Sequence, residues 1–153
     1  MLPLTLPWLA ASLHLVALGL GLGAIWVRAR RLRGPLDTVT IKRMFVADNV
    51  WALAAVLWIG TGLWRVLGGL EKGTVFYMHN AFFHAKMGVL ALVLGLEVWP
   101  MMTFIRWRIR IGRLQEVDTS RASTFATISY VQAVLVVVMV FLATAMARGL
   151  GAF

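Results

Sequence analysis

The chain has 153 residues, 61% hydrophobic and only 14% charged, with a mean hydropathy of +0.84. Soluble domains hold about 45–50% apolar and ~25% charged residues, so these values exclude a soluble domain and describe an integral membrane protein. The absence of cysteine excludes disulfides, iron–sulfur clusters and thiolate metal sites, and a net charge of +9 at pH 7 reads as loop topology rather than affinity for nucleic acid.

Four apolar stretches predict an all-α fold. It is an integral-membrane four-helix transmembrane bundle in a single domain over residues 1–153, with helices at about 7–29, 48–68, 80–105 and 122–148. Each approaches the ~20 residues that span the hydrocarbon layer, where only internally hydrogen-bonded backbone is tolerated.

The first stretch opens on Pro7, suited to a first helical turn. It has no basic residue before its apolar run, the first being Arg28, and so does not read as a cleavable signal peptide. Gly19 and Gly23 form a small-xxx-small pair that is expected to admit another helix closely. The connection that follows carries Arg28, Arg30, Arg31, Arg33, Lys42 and Arg43. Asp48 and Arg43 flank the start of the second helix and are expected to form an interfacial ion pair.

In the second helix Trp51, Trp58 and Arg65 recur at intervals of seven and share a face. Trp58, nearer the middle, reads first as core packing and is the better candidate of the tryptophans to pack on a planar ligand, while Trp64 suits an interfacial belt. Between the second and third helices Lys72 stands against Glu71.

The third helix holds His84, Lys86 and Glu97. An ionisable group inside a membrane span is a functional-site candidate by default, although a lysine near a helix end also snorkels to the headgroups. Glu97 lies roughly 16 Å beyond Lys86 along the helix, too far to pair with it, and needs a partner or a proton. After this helix come Arg106, Arg108, Arg110, Arg113 and Arg121. The positive-inside rule puts both basic connections in the cytoplasm and both termini on the periplasmic side of a bacterial inner membrane, crossed several times. The fourth helix is nearly featureless, with Ser129, Tyr130 and Gln132 near its start available to hydrogen-bond to neighbouring helices.

With this topology His14, Arg65 and Lys86 occupy one leaflet and are able to converge. A neutral imidazole binds haem iron, a lysine serves as ligand or base, and an arginine pairs with a propionate. The set fits a porphyrin, with His14 as metal ligand and Arg65 and His84 at the propionates. A copper site built on methionines, with Met78 and His79 as the sharpest pair, is a further reading.

The segments Arg43–Asp48, Thr61-Gly62-Leu63-Trp64-Arg65, Phe76-Tyr77-Met78-His79-Asn80, Phe83-His84-Ala85-Lys86-Met87 and Pro100–Trp107 resemble the DUF2214 family of small bacterial membrane proteins. A more distant similarity links the pattern to HemJ-type protoporphyrinogen oxidases and CopD-like proteins. The HemJ resemblance implies a haem b site that uses His14 and Lys86. It also implies an oxidoreductase in which Lys86 acts as a catalytic residue in proton removal and a membrane quinone accepts electrons. Late in the first and third helices, where HemJ-type proteins carry further histidines, this chain reads Trp26-Val27-Arg28 and Glu97-Val98-Trp99. The rival expectation is a non-catalytic accessory subunit, packed in the lipid bilayer as a homo-oligomer or in a larger membrane complex.

Overall fold

The computed structural model describes residues 5–68 and 72–152. Its elements are α1 (Thr5–Arg33), α2 (Thr38–Leu67), a short α3 (Gly73–Met78), α4 (Ala81–Gly112) and α5 (Ala122–Ala147). All but α3 are long and apolar enough to cross a membrane. Among the described residues there is no strand, only an isolated bridge between Asn80 and Ala152.

The helices run past the apolar stretches because charge does not end a helix. Arg30, Arg31 and Arg33 occupy the last turn of α1, and Arg110 that of α4, where positive charge complements the helix dipole. Helix α2 starts at Thr38 rather than 48, because Asp37 caps it: the Thr40 amide donates to Asp37 Oδ1 at 2.7 Å. That bond, with smaller help from Arg43, holds the exposed Asp37 carboxyl below its usual range. The cap's contribution is therefore present above the unfolded carboxylate pKa and lost as pH falls through the folded one. Asp37→Asn keeps the oxygen acceptor but not the titration. It is expected to flatten the acid limb of a detergent-melting profile, whereas Asp37→Ala lowers the melting midpoint at neutral pH.

Helix α1 is the hub. It packs against α2 and α5, α4 packs against α5, and α3 touches both α2 and α4. Its buried positions include Ala10, His14, Ala17, Gly21, Ala24 and Arg28, a 4-3-4-3-4 rhythm that keeps one stripe inward. Without a hydrophobic drive in lipid, small residues that allow close approach provide the attraction. Gly21 does this: a Cβ there would lie 3.3 Å from Ala54 Cβ and 3.5 Å from the Trp51 ring. Gly19 and Gly23 do not, since a Cβ on either meets nothing within 4 Å. The glycine pair expected to admit a neighbour therefore faces away from this bundle, and the packing glycine lies between them.

Packing is uneven along the bundle. At the end bearing the basic connections, Leu32, Ile41, Met44, Phe45, Phe104, Trp107 and Phe125 form one buried cluster. Toward the opposite end the buried cluster is only Ala17, Trp58 and Met139. A cavity takes up the remaining space.

Candidate functional site: a cavity at one end and a buried ion cluster at the other

The cavity has a volume of about 440 Å³, within the 300–1,000 Å³ of small-molecule sites. Every helix contributes to its wall: His14 from α1, Trp58, Gly62 and Arg65 from α2, Phe76 and Tyr77 from α3, Phe83 and Lys86 from α4, Met139 and Ala147 from α5. The wall is mostly apolar. Its charged members are Arg65, Lys72 and Lys86, and no carboxylate is among its described residues. His14 from α1, Trp58 and Arg65 from α2 and Lys86 from α4 thus share one cavity.

His84 is not part of the wall. It is exposed, its Nε2 lies 2.9 Å from the Met78 carbonyl and its ring sits against Phe83. Two residues from Lys86, it projects to another side of α4. His79 Nδ1 lies 3.0 Å from the Val75 carbonyl at the end of α3. Glu71 lies outside the described residues, so its expected partnership with Lys72 does too. Lys72 itself donates to the Ala147 carbonyl at 3.0 Å and sits over the Phe76 ring.

His14 is buried and positioned by α2. Its Nδ1 lies 3.0 Å from Thr61 Oγ1, which is in turn 2.7 Å from the Leu57 carbonyl and 3.1 Å from that of Trp58. A hydroxyl has one hydrogen, and here it is directed to the backbone. With that hydrogen donated to the backbone, Thr61 accepts from His14 in the tautomer that carries its proton on Nδ1 and its lone pair on Nε2. Gly62 makes room for the ring, as a Cβ there would lie 3.1 Å from His14 Cε1. The Trp58 ring lies 5.6 Å from that of His14. Trp58 Nε1 is buried with no hydrogen-bond acceptor among the described residues, which is uncommon for a native donor.

At the other end, Arg28 is fully buried. Its Nη1 donates to Glu97 Oε1 at 2.6 Å and Asp48 Oδ1 at 2.9 Å. Its Nη2 donates to Glu97 Oε2 and Gln132 Oε1, each at 2.9 Å, and Nε donates to Ser129 at 3.1 Å. All five guanidinium N–H groups are used. Gln132 Nε2 also donates to Glu97 Oε2 at 2.8 Å, and Arg108 donates to Asp48 Oδ2 at 2.8 Å. Two arginines balance two carboxylates, and α1, α2, α4 and α5 are joined at one point.

This cluster corrects two expectations. Arg28 is not a loop charge, because α1 continues beyond it and its stripe turns it inward. Asp48 does not pair with Arg43, which is exposed, because Asp48 faces Arg28 and Arg108. Glu97 finds the partner it needs in Arg28, and Ser129 and Gln132 make the interhelical bonds expected of them.

A four-helix membrane bundle clamped at one end and hollow at the other defines the class of this protein. The chain belongs to the DUF2214 family, described as a predicted membrane protein, whose model matches residues 6–151. No curated protein and no solved structure matches it.

Proposed function

We propose that the cavity binds haem b or a related porphyrin, and that the chain is a membrane redox protein of the b type. The observation that carries this reading is His14. Its ring is buried in the cavity wall with Nδ1 3.0 Å from Thr61 Oγ1, and in the tautomer that donates there Nε2 is the nitrogen that would meet an iron. The cavity's volume and apolar wall suit an amphipathic ring. Arg65 and Lys72 suit its carboxylates, and the buried Trp58 N–H lacks an acceptor that a ligand would supply. Among the described residues one histidine lines the wall, beside Lys86, Arg65 and Lys72, so the site offers one imidazole to an iron.

Haem, when bound, supplies one-electron redox chemistry. The chain's own residues do the rest. The apolar wall excludes water, the cations orient the carboxylates, and Lys86 Nζ holds or releases a proton. The corresponding reaction is HemJ-like protoporphyrinogen oxidation with a membrane quinone as acceptor. The positive-inside bias supports an orientation with the basic end in the cytoplasm and the cavity in the periplasmic leaflet of an inner membrane.

The test is a pair of visible spectra, oxidised and dithionite-reduced, of protein purified in mild detergent from haem-replete cells. A Soret band with reduced α and β bands, lost in His14→Ala and weakened in Thr61→Val, is the expected result. A flat spectrum from folded protein would sink the reading.

The outward-facing Gly19 and Gly23 favour a second one, a subunit that packs by this face on a copy of itself or on a larger complex. Crosslinking in native membranes tests it. Gly19→Leu/Gly23→Leu is expected to abolish the crosslinked species without lowering the melting midpoint of the isolated bundle.

A further inference from the structure

The basic end carries more order than orientation requires. Helix α5 enters the membrane there between α1 and α4, and each groove beside it holds an arginine laid on an aromatic ring. In the α1 groove, Arg33 sits over the Tyr130 ring at 5.4 Å and Trp26 meets the same ring edge-on at 5.0 Å. In the α4 groove, Arg121 sits over the Trp99 ring at 5.5 Å, and Trp99 meets Phe125 edge-on at 5.1 Å.

Both grooves follow one sequence rhythm. On α1, Trp26, Arg30 and Arg33 are spaced by four and three and lie on one stripe. On α4, Trp99, Arg106 and Arg110 are spaced by seven and four, again on one stripe. Each stripe therefore runs from an indole to guanidiniums at the basic end of its helix. Trp26 is 51% and Trp99 45% exposed, so these rings face lipid rather than the core. Asp118 belongs to the second groove. Its carboxyl accepts from the Ser120 amide at 2.9 Å and is held below the usual range first by that bond, with smaller help from Arg121 and Arg110.

We propose that the two grooves flanking the basic end of α5 are headgroup sites for anionic phospholipid, with phosphate on the guanidiniums and acyl chains along the exposed indoles. Diffuse positive charge orients a chain but does not require arginines fixed on rings at the boundary. Such fixing reduces the freedom lost on binding, and basic pockets between transmembrane helices suit anionic headgroups. The α1 groove is the stronger site, since no carboxylate adjoins Arg30 and Arg33 in the ion pairs of the described residues.

The experiment reconstitutes the whole chain in bilayers and measures the association of spin-labelled phosphatidylglycerol relative to phosphatidylcholine. A preference for phosphatidylglycerol that weakens with salt is expected, with all the groove arginines together contributing about fivefold, the equivalent of about 1 kcal/mol. Arg30→Gln/Arg33→Gln should remove most of it and Arg106→Gln/Arg121→Gln less. Lys42→Gln/Arg43→Gln, which removes the same charge outside the grooves, should leave it intact. Should the groove variants not fold, Arg30→Lys/Arg33→Lys keeps the charge and loses the planar stacking, and is expected to fall between. Equal loss in the Lys42/Arg43 variant would reduce the effect to diffuse charge and overturn the proposal. So would the absence of any preference in the wild type, or its displacement by inorganic phosphate at matched ionic strength.

Discussion

Replacing Arg28 with methionine is expected to lower the stability of the bundle by about 3–5 kcal/mol, the cost of removing one partner from a buried ion pair. The size follows from what is left behind. Glu97 and Asp48 are only 17% and 15% exposed in their side chains. Without Arg28, Glu97 retains Gln132 as its only side-chain donor among the described residues, while Asp48 retains Arg108. Glu97→Gln should cost less, since an amide still accepts from Arg28. The informative variant is the double substitution Arg28→Met/Glu97→Leu. It removes both charges and leaves Asp48 paired with Arg108, so its cost should fall below the sum of the singles by about 1–3 kcal/mol. Arg108→Gln should cost about 1 kcal/mol or less, because Arg108 is 34% exposed and its pair is partly screened. Unfolding midpoints in mixed micelles check these four and the single Glu97→Leu that closes the cycle. Additive costs for Arg28 and Glu97 would contradict the network.

The same cluster shows where sequence reasoning stops. The apolar stretches identified the four spanning helices because hydropathy over about 20 residues is a strong signal. Convergence of His14, Arg65 and Lys86 followed from helix direction alone, which fixes depth. Arg28 escapes the sequence because its charge marks a boundary as readily as a buried site. In isolation an arginine after an apolar run is a loop residue, and only a counter-charge on another helix makes it a buried one. A signal was available. Arg28 is fourteen residues from His14, on the same stripe, and Asp48 and Glu97 are the acids within the long helices. Opposite charges on inward faces near one end imply a cluster. His84 shows the converse: depth put it near the cavity, but its side of α4 did not. Helix α3 was not legible because six residues carry too little periodicity to separate a helical turn from a loop.

The far end of the bundle depends on Asn80, and Asn80→Ala is expected to cost about 2 kcal/mol. The estimate joins a lost N-cap, ~1 kcal/mol, to a lost buried hydrogen bond of about the same size. Asn80 is fully buried in extended backbone. Its Oδ1 accepts from the Phe82 and Phe83 amides at 3.0 and 3.2 Å, and its Nδ2 donates to the Leu150 carbonyl at 2.9 Å. The Ala81 amide adds a bond to the Gly151 carbonyl at 2.8 Å. One side chain therefore starts α4 and holds the segment after α5 against that start. Gly151 completes the joint: its φ is +76°, and a Cβ there would overlap the Phe82 ring. Asn80→Asp separates the two roles, because a carboxylate still caps the helix but cannot donate to Leu150. It should leave α4 intact while raising hydrogen exchange at 149–152, and Gly151→Ala should do the same. Phe83, which Asn80 caps, and Ala147, which precedes the tethered segment, both line the cavity. Loosening the joint is thus expected to weaken retention of any ligand there more than it lowers the melting midpoint, whereas the Arg28 variants should do the reverse.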